Sequence, residues 1–124
     1  MFNLLCIGIG GFIGAVSRYA VSGWVHKWAG SGFPYGTLSV NIAGSFLLGF
    51  FLALVTTKII LPYEFKNFIA VGILGAFTTF STFSYETVMQ LQGGLYAAAV
   101  LNIILNVVMA VTALWLGIIA ARLV

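Results

Sequence analysis

The chain has 124 residues, 62% of them hydrophobic and only 6% charged, with a mean hydropathy of +1.16; soluble domains carry about a quarter charged residues, so a soluble globular fold is excluded. Its net charge of +3 comes from a few scattered side chains, too few to build a surface that tracks nucleic acid. The single cysteine, Cys6 between Leu5 and Ile7, excludes a disulfide framework and a CxxC pair and reads as a small packed residue.

About 20 apolar residues cross a bilayer as a helix. Four stretches reach that length: Asn3 to Val25, Thr37 to Thr57, Phe65 to Met89 and Leu95 to Leu123. They predict an all-α integral membrane protein, a single four-helix transmembrane domain over residues 1–124. The connections left over are Trp28 to Tyr35, Lys58 to Glu64 with Pro62, and a minimal Gln92-Gly93-Gly94. No basic residue stands at Met1-Phe2-Asn3, and Phe-Asn-Leu-Leu-Cys lacks the small residues expected before a cleavage site, so the first segment is expected to stay in place.

Span one carries Gly8, Gly10, Gly11 and Gly14. Glycine costs helix propensity, a cost usually offset by close approach of another helix; Gly10 and Gly14 have the small-xxx-small spacing for it. Arg18 follows on the same helix, and two readings fit it: a side chain snorkelling to the interface, or an attractor for anions in a water-filled vestibule. His26 and Lys27 beside Trp24 and Trp28 read as an interfacial aromatic and basic anchor.

Span two places Thr37, Asn41 and Ser45 at i, i+4 and i+8, with Gly49 continuing the row, so a polar and small stripe faces protein rather than lipid. Ser45 and Gly49 suit helix packing. Asn41 offers two N–H donors at membrane depth, where packing glue and ligand contact are equally good accounts.

Span three holds the densest departure from a lipid-facing helix, Gly72 to Glu86, GILGAFTTFSTFSYE. Gly72, Gly75, Thr78 and Thr79 are poor interior helix formers, and a break there is expected wherever protein or a bound ion satisfies the freed carbonyls. Beyond it, the hundred-degree helical step sets Phe80 and Phe83 on one face, with Thr78, Thr82 and Glu86 nearer the opposite one. Span four is apolar except for Asn102, Asn106 and Thr112, the two asparagines projecting from one side at i, i+4.

Four spans put both termini on one side, which sets Lys58, Lys66 and Arg122 against Lys27 and Arg18. With so small an asymmetry the positive-inside rule sets no orientation, and insertion either way up gives antiparallel pairs. Four short helices also enclose no obvious pore. A homodimer of inverted subunits, with glycine-rich faces as its seam, answers both points.

The only acids are Glu64 and Glu86 and the only histidine is His26, which excludes a catalytic constellation or a metal cluster. The GxxG at Gly72 to Gly75 lacks the strand and lysine of a nucleotide loop. What remains is a track of neutral hydrogen-bonding groups, Asn41, Ser81, Thr82, Ser84, Asn102 and Asn106, with phenylalanines and one arginine. Such a track suits a small, hard anion, because an aromatic ring has a positive edge that can replace part of a hydration shell without tight binding. By spacing alone, ordinary core packing is the better account of Phe80 and Phe83.

The strings GxLGxxTTFSTFSxE at Gly72 to Glu86, GGxxGAxxRY at Gly10 to Tyr19 and GTLxVN at Gly36 to Asn41 closely resemble the Fluc (CrcB) family of fluoride channels. They cover three of the four spans in the family's order; the fourth span is not matched by motif. The resemblance implies a dual-topology, antiparallel homodimer with two fluoride pathways lined by both subunits, and passive export through a cell inner (plasma) membrane. Phe80 and Phe83 resemble the aromatic pair whose edges face fluoride, and Asn41 the asparagine that donates near them. Ser81 and Thr82 resemble part of the polar track, with Glu86 at its end, and Arg18 the arginine near the vestibule. The break is similar to a central structural sodium site, which would use the backbone carbonyls of Gly75 and Thr78; Ala76 stands where some relatives have glycine. Ser84, Asn102 and Asn106 complete the track by polarity and position. The rival is a small dual-topology, proton-coupled multidrug exporter, whose chemistry wants an acid in span one, where this chain has Arg18 and no carboxylate.

Overall fold

The computed structural model describes residues Met1–Val124. Four helical stretches are long and apolar enough to cross a membrane, and there is no strand. The first, α1 (Phe2–Ala29), and the second, α2 (Tyr35–Thr57), are continuous. The third is composite: α3 (Tyr63–Asn67), a π-helical segment (Phe68–Leu74), α4 (Gly75–Phe77) and, after a break, α5 (Phe80–Gln92). The fourth is α6 (Tyr96–Leu123).

These elements follow the four expected spans closely. The chief difference is at the end of α1, which runs to Ala29 instead of stopping near Val25. The interfacial anchor Trp24, His26, Lys27 and Trp28 is thus helical, and the turn begins only at Gly30, whose φ of 86° suits a residue without a Cβ.

Glycines set where helices touch. A Cβ on Gly49 would run into the Leu114 carbonyl, and one on Gly117 into the Phe46 carbonyl, so α2 and α6 approach backbone to backbone at a reciprocal pair of glycines. Gly10 and Gly14 play the same part between α1 and the third span, against the Phe68 and Ile73 carbonyls. Both are therefore used in packing within the chain. Of the glycine-rich face expected to form a seam between subunits, Gly8 and Gly11 remain open, with nothing within 4 Å of a built Cβ.

The third span breaks, but not across the whole stretch from Gly72. Gly72 and Gly75 stay helical, in the widened π turn and the short α4, and Gly72 is pressed against Gly10. The break is confined to Thr78 and Thr79, at φ −81°, ψ 156° and φ −151°, ψ 111°. Two β-branched residues favour the extended conformation. Thr79 then restarts the helix as N-cap, its Oγ1 accepting the Thr82 N–H at 3.2 Å.

Candidate functional site

The site is built around the break. An extended residue presents its own N–H and C=O to the same side, and a primary amide is their complement. Asn41 of α2 supplies that amide: its Oδ1 accepts the Thr79 N–H at 2.8 Å and its Nδ2 donates to the Thr79 carbonyl at 3.1 Å. The second Nδ2 proton goes to Asn106 Oδ1 on α6 at 2.9 Å. Of the two accounts open for Asn41, both of its donors are engaged within the chain.

α6 carries this network onward. Asn106 Nδ2 donates to the Asn102 carbonyl at 3.1 Å and to Asn102 Oδ1 at 2.9 Å; Asn102 Nδ2 donates to Thr87 Oγ1 at 3.0 Å. Thr87 Oγ1 in turn donates to the Phe83 carbonyl at 2.8 Å. All of these side chains are buried, and Asn102 is 0% exposed. A buried amide left unpaired at this depth is costly, so a closed network is the physically favoured state.

α5 separates two clefts. On one side a cleft of about 280 Å³ is lined by Phe80, Phe83, Asn41, Asn106, Thr78 and Thr79, among others. The Phe80 and Phe83 rings stand 5.3 Å apart at 65°, an edge-to-face arrangement, with Phe83 7% exposed and Phe80 77% exposed. On the other side a larger cleft of about 990 Å³ is lined by Thr37, Thr82, Glu86, Arg18, His26 and Lys27, among others. There Thr37 Oγ1 donates to Glu86 Oε1 at 2.6 Å. Thr79 lines both clefts.

The expected split of α5 into an aromatic and a polar face is therefore present, with one correction. Thr78 lines the aromatic cleft instead of joining Thr82 and Glu86, because it lies outside the helix and the hundred-degree step does not apply to it. Arg18 is half-buried and faces the larger cleft, and His26 and Lys27 face it too, so the interfacial anchor also forms a basic mouth. Ser81 is exposed, 3.4 Å from Thr79 Oγ1, and Ser84 Oγ donates to the Phe80 carbonyl at 2.9 Å; neither lines these clefts, and nor does Asn102.

At the proposed cation position, Gly75 is exposed and Thr78 half-buried. The Thr79 N–H, which in an unbroken helix would bond the Gly75 carbonyl, goes to Asn41 instead. That leaves the Gly75 carbonyl without its usual helical donor, and a hard oxygen ligand of this kind suits a hard cation. No cluster of three His, Cys, Asp or Glu residues that could hold a metal is present, so backbone oxygens are the donor set on offer.

Three residues outside the expected set stand at the centre of the geometry: Thr79, Thr37 and Thr87. Thr37 was legible as part of the i, i+4 stripe of α2. Thr79 was legible as half of the Thr-Thr pair, but nothing in the sequence distinguishes Thr87 from other helical threonines.

Comparison with known proteins agrees with this architecture. Residues 5–118 match the family model described as CrcB-like protein, Camphor Resistance (CrcB). The chain is 52% identical over 116 residues to a protein of Sulfurovum sp. (strain NBC37-1) named Fluoride-specific ion channel FluC, covering 94% of this chain and 90% of that one. Proteins of the same name from Magnetococcus marinus and Geobacter metallireducens are 47% identical over 118 residues and 40% identical over 122. The first of these covers 95% of this chain and 96% of the relative, and the second 98% of each. A match over nearly the whole chain, taking in all four membrane-capable helices, leaves one conclusion: the chain belongs to the CrcB family.

Proposed function

We propose that this protein is a fluoride-selective channel that lets cytoplasmic fluoride leave passively across the inner (plasma) membrane. The observation that carries the reading is the edge-to-face Phe80–Phe83 pair beside the Thr79 break, on a chain about half identical to proteins named as fluoride-specific channels.

The geometry suggests a division of labour. Arg18, His26 and Lys27 form a mouth that raises the local concentration of anions. Thr82 and Glu86 line the same cleft, and Thr79 is shared by the two clefts. In the smaller cleft, ring edges of Phe80 and Phe83 replace part of the hydration shell. Contacts of this kind are individually weak, so an ion can leave as well as enter. Neutral HF crosses lipid in acid surroundings and ionises inside; the anion then leaves down the membrane potential, worth ~2.3 kcal/mol per charge at 100 mV. No acid sits on α1 to exchange protons for a cationic drug, which disfavours the multidrug exporter.

An antiparallel homodimer fits the same reading. Phe80 is 77% exposed, and Gly75, Gly8 and Gly11 are also open. A second copy would cover them and complete the wall of each pathway. The carbonyls of Gly75 and Thr78 from both subunits would hold a sodium ion, whose positive charge offsets carbonyl dipoles at the centre of the assembly.

The test is efflux from liposomes containing only the purified protein, with fluoride and chloride compared and Phe80→Ile as control. Fluoride efflux that exceeds chloride and falls in the variant supports the reading. No fluoride efflux overturns it, and equal passage of chloride removes its selectivity.

A further inference from the structure

We infer that Thr87 and Asn102 are positioning residues, which carry the geometry of the Asn41–Thr79 pair across α6 to the backbone of Phe83 and so hold the Phe80–Phe83 ring pair in place. The inference deepens the channel reading and rests on it only where ion passage is measured.

The argument starts from the two ends of the network, which are main-chain groups of fixed polarity. At one end the Thr79 N–H can only donate, so the atom of Asn41 facing it, 2.8 Å away, is the oxygen. The Asn41 nitrogen then faces Asn106, whose near atom is an acceptor, its own Oδ1. The Asn106 nitrogen is turned to Asn102, where the backbone carbonyl at 3.1 Å, an obligate acceptor, agrees with that assignment. Asn102 Oδ1 takes the second Asn106 proton at 2.9 Å, and Asn102 Nδ2 is left to donate to Thr87 Oγ1. Since Thr87 Oγ1 accepts there, its proton is available for the Phe83 carbonyl, 2.8 Å away.

Each orientation is thus forced by its neighbour, and no amide can flip alone without setting two like groups against each other. Five of the six amide protons of Asn41, Asn102 and Asn106 are engaged. The sixth belongs to Asn102, which is fully buried. These three asparagines therefore work as a brace more than as a row of free donors.

A threonine hydroxyl bonded to the carbonyl four residues back is common in helices and by itself does little beyond bending them. Thr87 differs because its oxygen also accepts from Asn102, which ties α5 to α6 at the turn that carries Phe83. That turn begins one residue after the break, where the helix has no continuous ladder behind it to fix its position. The network supplies the missing reference, joining the broken backbone at Thr79 to the ring-bearing backbone at Phe83 through a helix on the far side.

The test compares Thr87→Val, which keeps the shape and removes the hydroxyl, with Thr87→Ser, which keeps the hydroxyl. Two readouts are taken on the full-length protein. One is 19F NMR of protein labelled with 4-fluorophenylalanine, the Phe83 resonance being assigned by its loss in Phe83→Leu. The other is fluoride efflux from liposomes per unit of reconstituted protein. The valine variant is expected to shift or broaden the Phe83 resonance and lower efflux by about tenfold, while the serine variant stays within about twofold. Should the valine variant fail to assemble, Asn102→Ser breaks the same link from its other partner and is read in the same two ways. An unmoved Phe83 resonance in the variant that breaks the link overturns the inference, as does a moved one with undiminished efflux. If the unaltered protein passes no fluoride, the channel reading falls, and the NMR comparison alone decides whether the brace exists.

Discussion

Asn41 and Thr79, 38 residues apart, meet as one amide against another: the side chain of the first pairs with both the N–H and the C=O of the second. A helix broken inside a membrane must satisfy its freed backbone groups from within the protein, and a single side chain does so here for both groups of Thr79. Replacing Asn41 by Leu leaves two main-chain groups of Thr79 and Asn106 Oδ1 without a partner. We expect a loss of about 2–5 kcal/mol of stability, read by thermal or detergent-induced unfolding. Asn41→Asp keeps the acceptor for the Thr79 N–H and is expected to lose the rest of the network.

Gly49 faces the Leu114 backbone and Gly117 the Phe46 backbone, so α2 and α6 meet main chain to main chain at both glycines. Gly49→Ala or Gly117→Ala drives a methyl group into the opposing backbone, which cannot move aside as a flexible side chain would. Each is expected to cost about 1–3 kcal/mol in the same unfolding measurement. Gly23→Ala, where nothing lies within 4 Å, is the control and should be neutral or gain up to about 1 kcal/mol from helix propensity.

Phe80 and Phe83 form one ring pair but sit in different surroundings, 77% and 7% exposed. Their substitution by Ile should lower fluoride efflux in both cases. Only Phe83→Ile is expected to lower the unfolding temperature of the chain as well, because only that ring is packed inside it. Equal thermal effects in detergent at monomeric concentrations would contradict the difference in burial.

Thr37 holds Glu86 Oε1 through a 2.6 Å hydrogen bond at the wall of the larger cleft. In the valine variant the carboxylate is released, and both its placement and the α2–α5 link are lost. Thr37→Val should reduce fluoride efflux by about fivefold or more, with Thr37→Ser close to the unaltered protein. Efflux assays on both variants, normalised to reconstituted protein, decide this.

Orientation in the membrane offers an independent check on the assembly. With basic residues so evenly divided between the two sides, we expect a tag on the C-terminus to be found on both faces of the membrane in cells. Accessibility from one side only would rule out the inverted pair and leave a parallel or monomeric arrangement.

Class and span number were legible in the sequence because they depend on one-dimensional quantities: the length of apolar runs and the scarcity of charge. The family motifs were likewise readable in order along three spans. The division of α5 into an aromatic and a polar face followed from helical period alone, once the helix was taken to start near Phe80. Gly10 and Gly14 announced close packing by their spacing, although not that their partner would be the third span of the same chain.

The break was expected over Gly72 to Thr79, yet it is confined to Thr78 and Thr79. Helix propensity rates the glycines as the weak points, but a break forms where another element can satisfy the freed groups, and only Thr79 lies opposite Asn41. Asn102 and Asn106 were visible as a pair on one face; that they spend their donors on Asn41, on each other and on Thr87 depends on how α2, α5 and α6 approach. The sequence by itself determined what this chain can dissolve in and how often it crosses the bilayer. Which polar groups pair, and therefore which remain for an ion, was decided by the tertiary structure, because hydrogen bonds between helices depend on distances that no local pattern encodes.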